Sequence, residues 1–300
     1  MTEVVLNPSF NPEDFDPSRK QRGVSAILRL KNEEEYLEMA LDSIRPFFDE
    51  FVIVYNQCSD RTPDIVAEFA RAEPQRVKAF HYVPKVFPPG SNQHRILPSG
   101  NVHSLVHYYN FALSKVSYRV CTKWDGDMIA APDRLGQVIK RLRTIVPGTG
   151  SWWLSPWQFG YWWYSGVNLW DEDGNIYIPM SRPAAGRRKD IGFWPVGGRH
   201  IFRHYPEAEY LRTWWLKQSF VGFVFFHMKG MKKDRGIGVY EFDKYSNSSY
   251  RERIREKWMN PDLMSFEAFC RIEPAANYLP NPESLGIRPA RRRSYKANLE

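Results

Sequence analysis

The sequence predicts an α/β fold, with a parallel sheet flanked by helices on both faces and then a second half rich in aromatic residues. Three observations predict it. Short apolar runs of strand length alternate with helix-length amphipathic segments between residues 23 and 125, and helix-start and loop signals fall between them. After residue 150 this alternation stops, and tryptophan and tyrosine crowd the chain. Strands that alternate with helices form parallel sheets, whose ligands bind beyond the carboxyl ends of the strands.

Taken in order, residues 1–22 are polar, carry Pro8, Pro12 and Pro17, and read as an irregular arm. Val24-Ser25-Ala26-Ile27-Leu28-Arg29-Leu30 reads as a buried strand. Asn32-Glu33-Glu34-Glu35 then opens a helix with acidic residues in its first turn, and Leu37, Ala40, Leu41 and Ile44 form its apolar stripe. Phe51–Tyr55 is the second strand. Thr62-Pro63 supplies a cap and a first-turn proline for a helix that turns Ile65, Val66 and Phe69 inward. Val77–Tyr82 is a third strand, and a long loop punctuated by Pro84, Pro88, Pro89, Gly90, Pro98 and Gly100 comes after it. A helix from about Val102 to Ser114 leads to a strand that ends at Asp125. Beyond 130 the expected units are an aromatic half to residue 260, closed by a helix from Tyr250 to Met259, and an extension over 261–300 with a basic tail.

The chain has 300 residues, 43% of them hydrophobic, enough for a sizeable core and too many for general disorder. No run reaches the roughly 20 apolar residues of a spanning helix, and the N-terminus lacks a signal-peptide pattern, so a cytoplasmic protein is expected. Cys58, Cys121 and Cys270 have no metal-ligand spacing and read as reduced structural thiols. A net charge of +8 biases the surface toward anions such as nucleotide phosphates, nucleic acid or acidic headgroups.

Trp124-Asp125-Gly126-Asp127 is the most informative segment. It places two carboxylates at a strand end, one residue apart, with a glycine that lets the backbone come close. Such a pair repels itself unless a cation or a helix terminus neutralises it, and hard divalent cations take oxygen ligands of this kind. A solvated turn is the plain alternative for the motif alone.

Together with the segments upstream of that turn, the chain resembles the family-2 glycosyltransferases of the GT-A fold. Four pieces in order carry the resemblance over roughly residues 23–130: the opening Val-Ser-Ala-Ile-Leu-Arg-Leu-Lys-Asn-Glu-Glu-Glu-Tyr-Leu, the segment Asn56-Gln57-Cys58-Ser59-Asp60-Arg61-Thr62 after the second strand, Tyr109-Asn110-Phe111-Ala112-Leu113, and Asp125-Gly126-Asp127. The resemblance implies a Rossmann-like sheet that binds a nucleotide-sugar, with an acceptor half behind it, and transfer of the sugar to an acceptor hydroxyl, with inversion.

It further implies donor contacts from Arg29, Leu30, Asn32, Glu34, Tyr55, Asn56, Asn110, Asp125 and Lys229, with Asp60 and Thr62 bracing the loop. Asp125 and Asp127 would ligate Mn²⁺ or Mg²⁺, and His227, in a late apolar run, would return to that metal or to the diphosphate. The chain departs from the family where an acidic residue meets the base, since Tyr55 stands there. Tyr109 likewise replaces a basic residue before Asn110. For the general base the candidates are Asp190, Glu207 and Glu209, and Asp190 is preferred because Ile191-Gly192-Phe193-Trp194 beside it suggests a semi-buried wall. Trp152, Trp153, Trp157, Phe159, Tyr161, Trp162, Trp163, Tyr164 and Trp170 read either as core or as a stacking surface for sugar rings or bases. A growing glycan, a lipid-linked sugar, a protein or a modified nucleic acid all remain open as acceptor, and so does a catalytically silent binding module.

Overall fold

The computed structural model describes residues 2–88, 91–144, 160–172, 175–179, 192–197, 202–205, 208–211, 216–230 and 263–265. The first part contains β1 (Thr2–Val5), β2 (Gln21–Leu30), α1 (Leu37–Ile44), β3 (Glu50–Tyr55), α2 (Thr62–Ala72), β4 (Val77–Tyr82), α3 (Asn92–Ile96), α4 (Leu105–Ser114), β5 (Tyr118–Trp124), β6 (Met128–Ala130) and α5 (Pro132–Thr144). Strands dominate the second part: β7 (Gly160–Glu172), β8 (Asn175–Pro179), β9 (Gly192–Pro195), β10 (Phe202–Tyr205), β11 (Ala208–Leu211), β12 (Lys217–Gly230) and β13 (Leu263–Ser265).

The strands β1, β4, β3, β2 and β5 lie side by side in that order and are all parallel. Period-2 alternation in the buried strands sorts their side chains into two cores. Val24, Ala26, Leu28 and Leu30 of β2, with Phe51, Ile53 and Tyr55 of β3, meet the apolar stripes of α1, α2 and α5. Ile27, Val52 and Val54 point the other way and pack under α4, every residue of which is buried. The expected α/β sheet with a helical layer on each face is therefore what forms.

Beyond β5 the same sheet continues as β9, β7, β12 and β6, so hydrogen-bonded strands cross the boundary expected at residue 130. β9 runs antiparallel to β5 and β7, whereas β12 runs parallel to β7 and antiparallel to β6. Tyr161, Trp162 and Tyr164 of the aromatic cluster are buried in the two cores. Trp152, Trp153, Trp157, Phe159 and the helix expected over 250–259 lie outside the described residues.

Three expectations are corrected. Residues 2–5 are not irregular: they add a strand to the sheet, with Thr2 opposite Ala79 and Val5 opposite Tyr82. The β-branched Thr2, Val4 and Val5 suit that position. Helix α1 begins at Leu37 rather than at the acidic triplet, because the loop before it is tied elsewhere: the Glu33 amide donates to Thr62 Oγ1 at 2.8 Å and the Glu34 amide to Asp60 Oδ2 at 3.0 Å. Thr62 is accordingly the first residue of α2 rather than its cap, and its amide donates to Asp60 Oδ1 at 3.0 Å. Asp60 and Thr62 do brace the loop, as expected. Among the described residues no helix is long and apolar enough to cross a membrane.

Candidate active site

The Asp125-Gly126-Asp127 turn leaves the carboxyl end of β5, the strand next to β2. Its backbone is fixed from three sides. The Met128 amide donates to Asp125 O at 3.2 Å, the Met228 amide donates to Asp127 O at 2.8 Å, and the indole Nε1 of the fully buried Trp124 donates to Met128 O at 2.8 Å. Gly126 is required by close approach: a Cβ there would lie 2.9 Å from Glu33 Cβ and 3.1 Å from Leu30 Cδ2. The turn is thus wedged against the loop after β2.

The pairing of β12 with β6 sets His227 opposite Met128, and this register carries His227 Nε2 to 3.4 Å from Asp127 Oδ1. Both side chains are largely buried, at 15% and 6% exposure. Residues a hundred positions apart are joined here by strand pairing. Asp125 behaves differently, since its Oδ2 sits 3.3 Å from Lys123 Nζ. The expected ligand set of Asp125, Asp127 and His227 is therefore not assembled as a triad. The ammonium holds Asp125, and no group of three or more His, Cys, Asp or Glu among the described residues is arranged as a metal site.

Several expected nucleotide contacts are engaged with the protein frame. Asn56 is buried: its Nδ2 donates to Tyr82 O and Pro84 O, both at 2.7 Å, and its Oδ1 accepts the Val86 amide at 3.2 Å. Asn110 makes a two-bond clamp on the Phe202 backbone, 3.1 Å from Nδ2 to Phe202 O and 2.9 Å from the Phe202 amide to Oδ1. Asn56 holds the chain leaving β4 and Asn110 the start of β10, so both satisfy buried backbone groups instead of facing an open ligand surface. Asn32, at a left-handed φ of 52°, and Ser59 exchange bonds of 3.1 and 2.8 Å, and Glu34 Oε2 accepts the Arg61 amide at 2.9 Å. These bonds zip the loop after β2 to the loop after β3. Leu30 is buried, and its carbonyl accepts the Asn56 amide at 3.1 Å.

Tyr55 stacks on His81 with centroids 4.9 Å apart and an interplanar angle of 13°, and burial pushes its phenol pKa up. Arg29 lies with its guanidinium 4.7 Å from the ring centroid of Tyr109. Lys229 falls on β12, but its side chain lies outside the described residues, as do Asp190 and Glu207; Glu209 lies on β11, and nothing is described of its side chain. Sequence reasoning missed two residues here. Lys123 interrupts a buried strand two positions before Asp125, a placement that by itself signals a role, and Trp124 gives the turn its floor.

A family model described as beta-1,4-N-acetylgalactosaminyltransferase (CgtA) matches residues 10–131. The match is to a sugar transferase. It takes in the arm from Phe10, the parallel strands and the whole aspartate turn, so the resemblance to glycosyltransferases holds over this segment. Among solved structures, Staphylococcus aureus TarS 1-349 is 12% identical, with a TM-score of 0.43, 79% of this chain covered and 71% of that one. Mycobacterium tuberculosis glucosyl-3-phosphoglycerate synthase, in complex with Mn²⁺ and UDP-glucose, is 17% identical with a TM-score of 0.31, covering 55% of this chain and 50% of its own. The mannosyltransferase PcManGT of Pyrobaculum calidifontis, in complex with GDP-Man and Mn²⁺, is 22% identical with a TM-score of 0.33, covering 50% and 37%. The chain thus spans half or less of the length of the last two. Comparison with curated proteins gives no match.

Proposed function

We propose that this chain is a nucleotide-sugar-dependent glycosyltransferase that works in the cytoplasm and moves a sugar, with inversion, from its donor to an acceptor hydroxyl. One observation carries the reading: the aspartate turn closes the segment matched by the sugar-transferase family, at the carboxyl end of a parallel strand, with His227 3.4 Å from Asp127. That is where ligands of open α/β sheets bind.

The residues present fit a divalent cation such as Mn²⁺ or Mg²⁺. Asp127 offers a carboxylate and His227 an imidazole nitrogen, both types that Mn²⁺ accepts, and Asp125 lies one residue from Asp127. When bound, such an ion neutralises the charge that grows on the departing diphosphate. The chain's own residues do the rest. Trp124 and the Met228 amide hold the aspartates in place, and the zipped loops after β2 and β3 shape the wall on which the nucleoside lies, beside the Tyr55 and His81 pair. Asp190 is the proposed general base, taking the proton from the acceptor hydroxyl as the new glycosidic bond forms. The aromatic half is the proposed acceptor side, with a glycan, a lipid-linked sugar, a protein or a modified nucleic acid as the classes to test.

The test is donor hydrolysis over a panel of nucleotide-sugars with Mn²⁺, comparing the native chain with Asp127→Asn. Release of sugar by the native chain and its loss in the variant, with unchanged thermal unfolding, is the expected result. Tight nucleotide binding without hydrolysis of any donor would instead make the chain a silent binding module.

A further inference from the structure

We infer that Lys123 is a resident cation of this site: it occupies Asp125 in the metal-free protein and weakens the binding of a lone divalent ion, so that the ion is taken up together with a diphosphate. The inference rests on the glycosyltransferase reading. Its basis is the sheet register. Lys123 of β5 lies opposite Ile27 of β2, so Lys123, Ile27 and Arg29 share the α4 face. The ammonium reaches 3.3 Å from Asp125 Oδ2 with only 12% of its side chain exposed, and Asp125 is 25% exposed. Beneath it lies the Tyr109 ring, with Lys123 Nζ 5.7 Å and the Arg29 guanidinium 4.7 Å from its centroid. Tyr109 is itself buried and stacked on Phe202 at 4.5 Å, so it makes a fixed platform for the two cations.

Asp125 thus faces a largely buried ammonium, and the Arg29 guanidinium shares that ammonium's Tyr109 platform. A divalent ion that approaches the carboxylate alone must displace the ammonium and then bear its repulsion in a partly desolvated place. A nucleoside diphosphate changes that balance, because its oxygens accept hydrogen bonds from the released ammonium and from Arg29 while they also ligate the ion. Lys123 is on this account a positioning residue that makes ion and diphosphate binding cooperative, and each must raise the affinity of the other by the same factor.

The experiment measures Mn²⁺ binding to the full chain by the electron paramagnetic resonance of the free ion, without nucleotide and then with uridine diphosphate as the probe. Lys123→Met keeps the stem and removes the charge, Lys123→Arg keeps the charge, and Lys123→Met combined with Asp125→Asn removes both partners. Lys123→Met is expected to bind Mn²⁺ alone on the order of tenfold more tightly, to lose most of the mutual enhancement by uridine diphosphate, and to lose the gain when Asp125→Asn is added. Lys123→Arg should stay near the native value. Unchanged or weaker Mn²⁺ binding in a folded Lys123→Met chain overturns the inference, as does a gain that survives Asp125→Asn. An Asp127→Asn control separates this failure from that of the functional reading: if Mn²⁺ binding ignores Asp127 in every background, the metal site itself is misplaced.

Discussion

The indole of Trp124 is the part of the site whose removal is most readily quantified. Trp124→Phe deletes the 2.8 Å bond to Met128 O and leaves that carbonyl, in a residue 2% exposed, without its donor. A buried acceptor stripped of its partner costs about 1–3 kcal/mol. Phenylalanine also leaves part of the indole volume empty, in a core where Phe48, Tyr164 and Phe225 surround the ring at 6.1, 6.2 and 5.8 Å, adding on the order of 1 kcal/mol. The sum, about 2–4 kcal/mol, is a large fraction of the roughly 5–15 kcal/mol that holds a domain together. Urea unfolding monitored by fluorescence should show a lower midpoint with an unchanged slope. Because the same bond pins the aspartate turn, donor hydrolysis should fall on the order of 10–100-fold under conditions where the variant is folded. A native midpoint in Trp124→Phe would show that the turn does not depend on this bond, and the reasoning would fail.

Other consequences can be checked in the same preparations. Gly126→Ala would press a methyl group to within 2.9 Å of Glu33 Cβ, on a loop whose amides are already tied to Thr62 and Asp60, so a loss of about 1–3 kcal/mol in urea unfolding is expected, together with weaker nucleotide binding by calorimetry. A neutral Gly126→Ala would mean that the loop yields freely. His107 is buried, and its ring meets Tyr82 Oη at 2.9 Å through Nδ1. Tyr82 gives its one proton to Val102 O at 2.6 Å, which assigns the proton between the two rings to His107 Nδ1. Burial lowers the His107 pKa below its ordinary 6.5. The unfolded chain thus gains a proton before the folded one, so this stabilising contribution is complete above pH 6.5 and declines as pH falls toward the lowered value. Unfolding midpoints between about pH 7.5 and 5 should decline less steeply in His107→Gln than in the native chain; parallel curves would remove His107 from the account.

The parallel sheet was legible because buried strands and amphipathic helices announce themselves locally, as in Val24–Leu30 and in the stripe Leu37, Ala40, Leu41 and Ile44. The aspartate turn was legible for the same reason, since a strand end and a glycine between two acids are short-range features. What escaped depends on partners far away in the chain. Nothing in the neighbourhood of Asn56 or Asn110 tells whether an amide faces a ligand or clamps a backbone 26 or 92 residues distant. The arm strand could be recognised only with its partner β4, more than 70 residues later. A lysine within the buried run of β5 is visible in the sequence, but that it shares the α4 face with Ile27 and reaches Asp125 follows only from the sheet register. His227 was placed by its family resemblance, but its distance from Asp127 is set by the pairing of β12 with β6.

Crystals of the full chain soaked with Mn²⁺ and uridine diphosphate, with data collected at the manganese absorption edge, test the central claim most directly. An anomalous peak within bonding distance of an Asp127 oxygen and His227 Nε2, with the diphosphate against it, is the predicted result. A peak elsewhere, or nucleotide bound away from the end of β5, would contradict it.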